Sequence, residues 1–209
     1  MAQYFEIYPD NPQPRLLKQA VALLQKGGVI ALPTDSSYAL VCQLDDKNAV
    51  ERLRRIRQVN DKHHLTLLCR DLSELANYAL VDNQQYRLMK LGTPGPYTFI
   101  LDATKEVPRR VSHPSRKTIG LRVPDRKGTQ MLLELMGAPL LATTLIPPGE
   151  ELPMNDPEAI RERFEEVAAI YREICTAPEY AGYFEKTPCL PAMASRRQLN
   201  DRSKARAPE

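Results

Sequence analysis

"LRRIRQVNDKHHLTLLCRD", residues 53–71, runs from one kind of periodicity into another. Leu53 and Ile56 close an apolar stripe begun by Ala49 and Val50 at helical spacing. After a polar loop, "HLTLLC" (64–69) is apolar over the length of a buried strand. A helix feeding a buried strand is the repeating unit of an α/β layered domain. Arg54, Arg55, Arg57 and Lys62 crowd the junction. A chain does not normally aim several cations at the mouth of its own core, so the junction reads as a candidate anion site.

The same alternation continues in both directions. "PRLLKQAVALLQKGG" (14–28) predicts a helix stopped by Gly27-Gly28, and "DKNAVERLRRIRQ" (46–58) a second one with Asp46 as N-cap. "VIALP" (29–33) and "YALVCQL" (38–44) read as strands on either side of the polar turn "TDSS". Downstream, "DLSELANYAL" and "QQYRLMKL" predict two short helices, and "YTFILDA" and "TIGLRVP" two strands. "GTQMLLELMG" predicts a helix closed by Gly137, and "PLLATTL" a strand. "DPEAIRERFEEVAAIY" (156–171) predicts a final helix with Asp156 as N-cap and Pro157 at its first position. Several strand pairs have no helix between them, so the sheet is expected to be mixed. One domain is expected over residues 1–172. Residues 173–209, rich in proline, basic at the end and without apolar periodicity, are expected to be a poorly ordered tail.

Composition excludes several classes. No apolar run approaches the ~18 residues of a membrane span, and the N-terminus carries no secretory pattern, so a cytoplasmic protein is expected. The four cysteines are far apart, without C-x-x-C, and give neither a zinc site nor a disulfide framework. The three histidines lack helical metal spacing, so no metal ligand set is expected among them. Net charge is only +3, yet residues 105–127 hold eight Lys/Arg against two acids, which suits an anionic partner as well as a solvated basic face.

Each local motif has two readings. Thr34, Asp35, Ser36, Ser37 and Tyr38 lie where a buried strand ends, placed either to ligate a polar molecule or to satisfy their own turn. Arg55 and Arg57 diverge by about 200° on a helix, so either the helix ends between them and they grip one phosphate, or they belong to a solvated helix face and its loop. "TPGPYTFIL" is stiff turn chemistry pinning Tyr97 and Thr98. Arg122 sits inside an apolar strand and needs either an acidic neighbour or a bound anion. No Walker loop, G-x-G-x-x-G, H-E-x-x-H or nucleophile elbow occurs, and no residue looks like a covalent nucleophile.

Taken in order, "LPTDSSYAL", "RIRQ…K…LTLLC", "TPGPYTFIL", "IGLRVPD" and "LLATTLIPPG" resemble the YrdC-like family of threonylcarbamoyl-adenylate synthases, and its YciO branch above all, over residues 4–171. The resemblance implies a twisted mixed α/β sheet with flanking helices around a large basic cavity. It implies a chemistry in which ATP, with Mg²⁺, joins L-threonine and bicarbonate by adenylyl (nucleotidyl) transfer for tRNA modification, and binding of double-stranded RNA or tRNA. Carried over by motif, Thr34 would contact threonine with Tyr38 nearby. Arg55 and Arg57 would receive phosphate. Lys62 and Thr66 would line the entry, Thr98 and Arg122 would face the cavity, and Thr143 and Thr144 would fall in the family's Ser-x-Asn block. Two departures stand out. Ile146 replaces the amide of that block, and nothing after about Ile170 follows the family pattern, which predicts a truncated or frame-shifted end and an unpaired sheet edge. Three functions result: a YciO-type protein binding nucleotide and RNA with weak or altered chemistry, a true synthase, or a non-catalytic RNA-binding module.

Overall fold

The structure, a computed structural model, describes residues 3–173. The expected tail and the C-terminal departure lie outside the described residues, apart from the first few, which form a strand. In chain order the elements are β1 (Gln3–Ile7), α1 (Pro14–Gln25), β2 (Ile30–Pro33), β3 (Tyr38–Gln43), α2 (Lys47–Arg57), β4 (Thr66–Leu68) and α3 (Leu72–Tyr78). There follow α4 (Asn83–Gly92), β5 (Phe99–Asp102), β6 (Thr118–Arg122), α5 (Lys127–Met136), β7 (Leu140–Thr144), α6 (Pro157–Arg163) and β8 (Ala169–Glu173).

The strands form one sheet of order β1-β8-β2-β3-β7-β4-β6-β5. It is mixed, as the short connections require: β8 runs parallel to both β1 and β2, β4 runs parallel to β6, and the other pairs are antiparallel. Side chains alternate between two faces. Tyr38, Leu40, Cys42, Leu67, Leu121 and Leu141 meet Leu53 and Ile56 of α2, Leu75 of α3, Met89 of α4 and Ile160 of α6 in one core. Ile30, Leu32, Ala39, Val41, Leu68, Leu140 and Ala142 meet Leu17, Ala20 and Leu24 of α1 and Leu132 and Leu133 of α5 in the other. Each fully buried leucine, Leu53 among them, contributes about 1.5–3 kcal/mol of burial energy.

Two elements depart from the pattern in the sequence. The final helix does not run to Tyr171. It stops at Arg163, and Ala169–Glu173 inserts as β8 between β1 and β2. Ala169, Ile170 and Tyr171 are all buried in succession, which a strand covered on both faces requires and a surface helix cannot supply. β8 is paired on both sides, with β1 and β2; the edge expected to stand unpaired depends on residues outside the described ones. The N-terminal strand β1 had no assignment from sequence, and it alternates in the usual way, with Phe5 and Ile7 inward. Among the described residues, no helix is long and apolar enough to cross a membrane.

Candidate functional site

The helices leave part of one sheet face bare. On the α1/α5 face, Leu68, Leu140 and Ala142 are covered, but the register places Thr66 beside Gly120 and Ala142, and Gly120 beside Ile100. Thr144 and Thr98 are exposed, Ile100 is 55% exposed and Thr66 is half-buried. Thr66 and Thr98 meet over Gly120. A Cβ placed on Gly120 would lie 2.7 Å from Thr66 Oγ1, 3.0 Å from the Leu65 carbonyl and 3.1 Å from Thr98 Cγ2. Only glycine keeps that floor flat. Among the described residues, the Thr66, Thr98 and Thr144 hydroxyls have no hydrogen-bond partner, so they remain available to a ligand.

Arg122 closes one end of this face. It is buried, and its guanidinium is ion-paired with Asp35. Nη1 donates to Ser36 Oγ at 3.0 Å and Nε to the Gly95 carbonyl at 3.3 Å. The β2–β3 turn and β6 stand on opposite sides of β7 and β4 in the strand order, so the pair clamps two distant parts of the sheet together. Burial pulls the Arg122 guanidinium below its ordinary range, and Asp35 pushes it partly back. Of the two partners the sequence allowed, the acidic neighbour is present.

The remaining expected residues go elsewhere. Thr34 is spent on its own turn: its hydroxyl donates to the Ser37 carbonyl at 2.8 Å and accepts from the Ser36 and Ser37 amides. Tyr38 points into the other core and donates to the Tyr171 carbonyl at 2.8 Å. Thr143 lies on that same opposite face, 3.4 Å from His63 Nε2. Helix α2 runs through both Arg55 and Arg57 and ends only at Gln58, whose left-handed backbone closes it with Val59 N donating to the Arg54 carbonyl. The condition for convergence is therefore not met. Arg57 continues the buried stripe of Val50 and Leu53, donates to the Ile146 carbonyl and leaves Nε without a partner among the described residues. Desolvation lowers its proton affinity. Arg55 faces the other way, into an open cleft of about 520 Å³ that it shares with Gln58, Arg163 and Phe164. There it holds Glu166 at 2.7 Å, while Arg163 holds Glu150 at 2.6 Å. Lys62 is exposed in the loop. The cations expected to line one basic cavity thus have partners in separate segments, and the uncovered face is instead lined largely by hydroxyls.

Asp35 and Ser36 as partners of Arg122, and Gly120 as the floor, were missed by reasoning from sequence. No local pattern links positions so far apart. The alternation of "TIGLRV" did put Gly120 and Arg122 on one face, which was the available signal.

Comparison with known proteins fits this architecture. A family model for the Sua5/YciO/YrdC domain, described as telomere recombination, matches residues 22–177. The chain belongs to the Sua5/YciO/YrdC family. It is 59% identical to the YciO protein of Escherichia coli (strain K12) over 165 residues, 79% of this chain and 80% of that one. The crystal structure of E. coli YciO superposes with a TM-score of 0.81 at 56% identity, covering 83% and 85% of the two chains. A threonylcarbamoyl-AMP synthase of Vibrio vulnificus (strain YJ016) is more distant, 32% identical over 131 residues, 61% of this chain and 70% of that one. P. abyssi Sua5 complexed with L-threonine shares the fold, with a TM-score of 0.74 at 22% identity, covering 81% of this chain and half of that one. Within the family, the chain stands with YciO.

Proposed function

We propose that this is a YciO-type protein that binds a nucleotide and RNA, with weak or altered adenylyl-transfer chemistry. The observation that carries the reading is the part of the sheet face the helices leave free, where Thr66 and Thr98 meet over the buried Gly120 and, among the described residues, the Thr66, Thr98 and Thr144 hydroxyls have no hydrogen-bond partner. Hydroxyls that donate and accept, on a rigid strand floor, suit the polar edges of a nucleotide and of the small substrates that such a nucleotide would activate. A Mg²⁺ would arrive with the nucleotide, offsetting the charge of its triphosphate. For RNA, the β5–β6 connection presents Lys105, Arg109, Arg116 and Lys117, all exposed and without an ion-pair partner among the described residues.

The relation to the V. vulnificus synthase favours a second reading, threonylcarbamoyl-AMP synthesis from L-threonine, bicarbonate and ATP. Three features weigh against efficient turnover. Ile146 lacks the amide of the family block, Arg57 is committed to the Ile146 carbonyl, and Arg55 is committed to Glu166. Calorimetric titration with ATP, L-threonine and a tRNA, one at a time, tests the proposal: ATP and tRNA should each bind, and absence of both signals rejects it. Pyrophosphate release from ATP that requires both threonine and bicarbonate, at a rate linear in enzyme, would replace the proposal with the synthase reading. Where turnover occurs, it would rest on positioning and charge stabilisation.

A further inference from the structure

His63 and His64 are neighbours in sequence and leave on opposite sides of the sheet. Leu65 and Leu67 enter the α2-side core, and His63 follows them to Thr143. His64 therefore alternates with Thr66 onto the open face. Continuing the register of Thr66 with Ala142 and Gly120 by two residues sets His64 between Thr144 and Thr118. Pairing does extend this way, since the Gly120 amide donates to the Leu65 carbonyl.

The imidazole is held by stacking. Its ring lies 4.8 Å from that of His113, with 26° between the planes. His113 is itself fixed, its Nδ1 accepting from the Ser115 and Arg116 amides at 3.3 and 3.1 Å. Two atoms beside this stack are left over: His64 Nδ1 and Thr118 Oγ1 are both sealed from solvent without a hydrogen-bond partner among the described residues. Such orphans are costly, and the extended register sets the two residues side by side. No hydrogen bond joins the two atoms in this structure, so a proton on Nδ1 has to bring Thr118 Oγ1 to it as acceptor. The other ring nitrogen, Nε2, would then carry the second N–H of an imidazolium. Of the charged and titratable groups around it, His113 and Arg116 act on the imidazole directly, while Lys117 follows Arg116 in the chain, Asp102 stands opposite Thr118 on β5, and Lys62 and His63 precede it in the loop after α2. Burial, His113 and Arg116 lower the proton affinity of His64 below its ordinary range.

We propose that His64 is a phosphate-contacting residue of the open face, and that it gains a proton when a nucleotide phosphate binds, with Thr118 accepting from its Nδ1. This rests on the nucleotide-binding reading above and names one of the contacts by which it works. The experiment uses the full chain and ATP, with imidazole resonances followed by NMR and affinities measured by calorimetry at about pH 6 and about pH 8. Saturating ATP should raise the His64 titration midpoint by about one pH unit, equivalent to about tenfold in linked affinity. The wild-type to H64Q affinity ratio should accordingly be about tenfold larger at the lower pH, a comparison that cancels the titration of ATP itself. T118V should lose most of that pH dependence, and H63Q should keep it. If ATP binds but the ratio is independent of pH and the His64 resonances do not move, the inference falls and the nucleotide reading stands. If ATP does not bind at either pH, both fall together.

Discussion

The Asp35–Arg122 pair should dominate the stability of the open face, and D35A is the change that exposes it. The Arg122 side chain is 9% exposed and that of Asp35 12%, so solvent screens neither charge appreciably. Removing the carboxylate leaves a buried guanidinium with only Ser36 Oγ at 3.0 Å and the Gly95 carbonyl at 3.3 Å. An uncompensated buried charge of this kind costs about 3–5 kcal/mol. For a chain of this length, that lowers Tm by roughly 6–20 °C. R122M should cost less, because the Asp35 carboxylate sits at a turn and keeps the Asp125 amide at 3.4 Å. The double variant D35A/R122M should recover much of the loss, since it buries no orphan charge. Urea denaturation followed by far-UV circular dichroism gives all four corners of the cycle. A D35A cost below about 1 kcal/mol, or single losses that simply add in the double variant, would show that the pair is solvated and that the corner is held by something else.

Three further outcomes follow from the geometry. G120A should destabilise the fold by about 1–3 kcal/mol in the same urea assay, because the new methyl meets the Leu65 carbonyl as well as the movable Thr66 side chain. Burial and neighbouring cations hold His63 and His64 below the ordinary value of 6.5, so below that value the unfolded chain binds more protons than the native one. Stability should therefore fall on acidification from about pH 7 to about pH 5.5, and H63Q should flatten the loss in urea midpoints. I146N should leave the Arg57 contact intact, since that contact is to a backbone carbonyl, and should tighten ATP or L-threonine binding by about tenfold to a hundredfold in calorimetry.

The layered fold was legible because apolar spacing survives in the sequence wherever an element is half-buried. The stripe of Ala49, Val50, Leu53 and Ile56 gave α2, and Asp46 caps it by accepting from the Ala49 amide. The strand "AIYRE" was lost for the opposite reason: it follows a well-capped helix start without a glycine or proline to break it, and only its slot between β1 and β2 makes it a strand. The site was harder to read. Charge marked Arg55, Arg57 and Arg122 as ligand residues, but charge in a sequence does not say which carboxylate or carbonyl will reach it. Arg57 could have been separated from Arg55, because it stands four residues after Leu53 on the buried stripe. Nothing local could have joined Arg122 to Asp35, or set Thr66, Thr98 and Gly120 side by side.

Because four of the arginines already hold partners within the protein, the two proposed ligands should answer differently to salt. Arg55 holds Glu166, Arg57 the Ile146 carbonyl, Arg110 the Leu44 and Asp45 carbonyls, and Arg122 holds Asp35. A nucleotide on the threonine-lined face would be bound largely through hydroxyls and one imidazole, and its affinity should change only modestly as salt is raised. RNA would depend on Lys105, Arg109, Arg116 and Lys117, and each phosphate these neutralise should add roughly 0.7–0.9 to the slope of log affinity against log salt. Replacing Lys105 and Arg109 by alanine should lower that slope for tRNA and leave ATP binding unchanged. If ATP affinity instead falls as steeply with salt as tRNA affinity does, the nucleotide is sitting among the peripheral cations, and the uncovered sheet face is not where it binds.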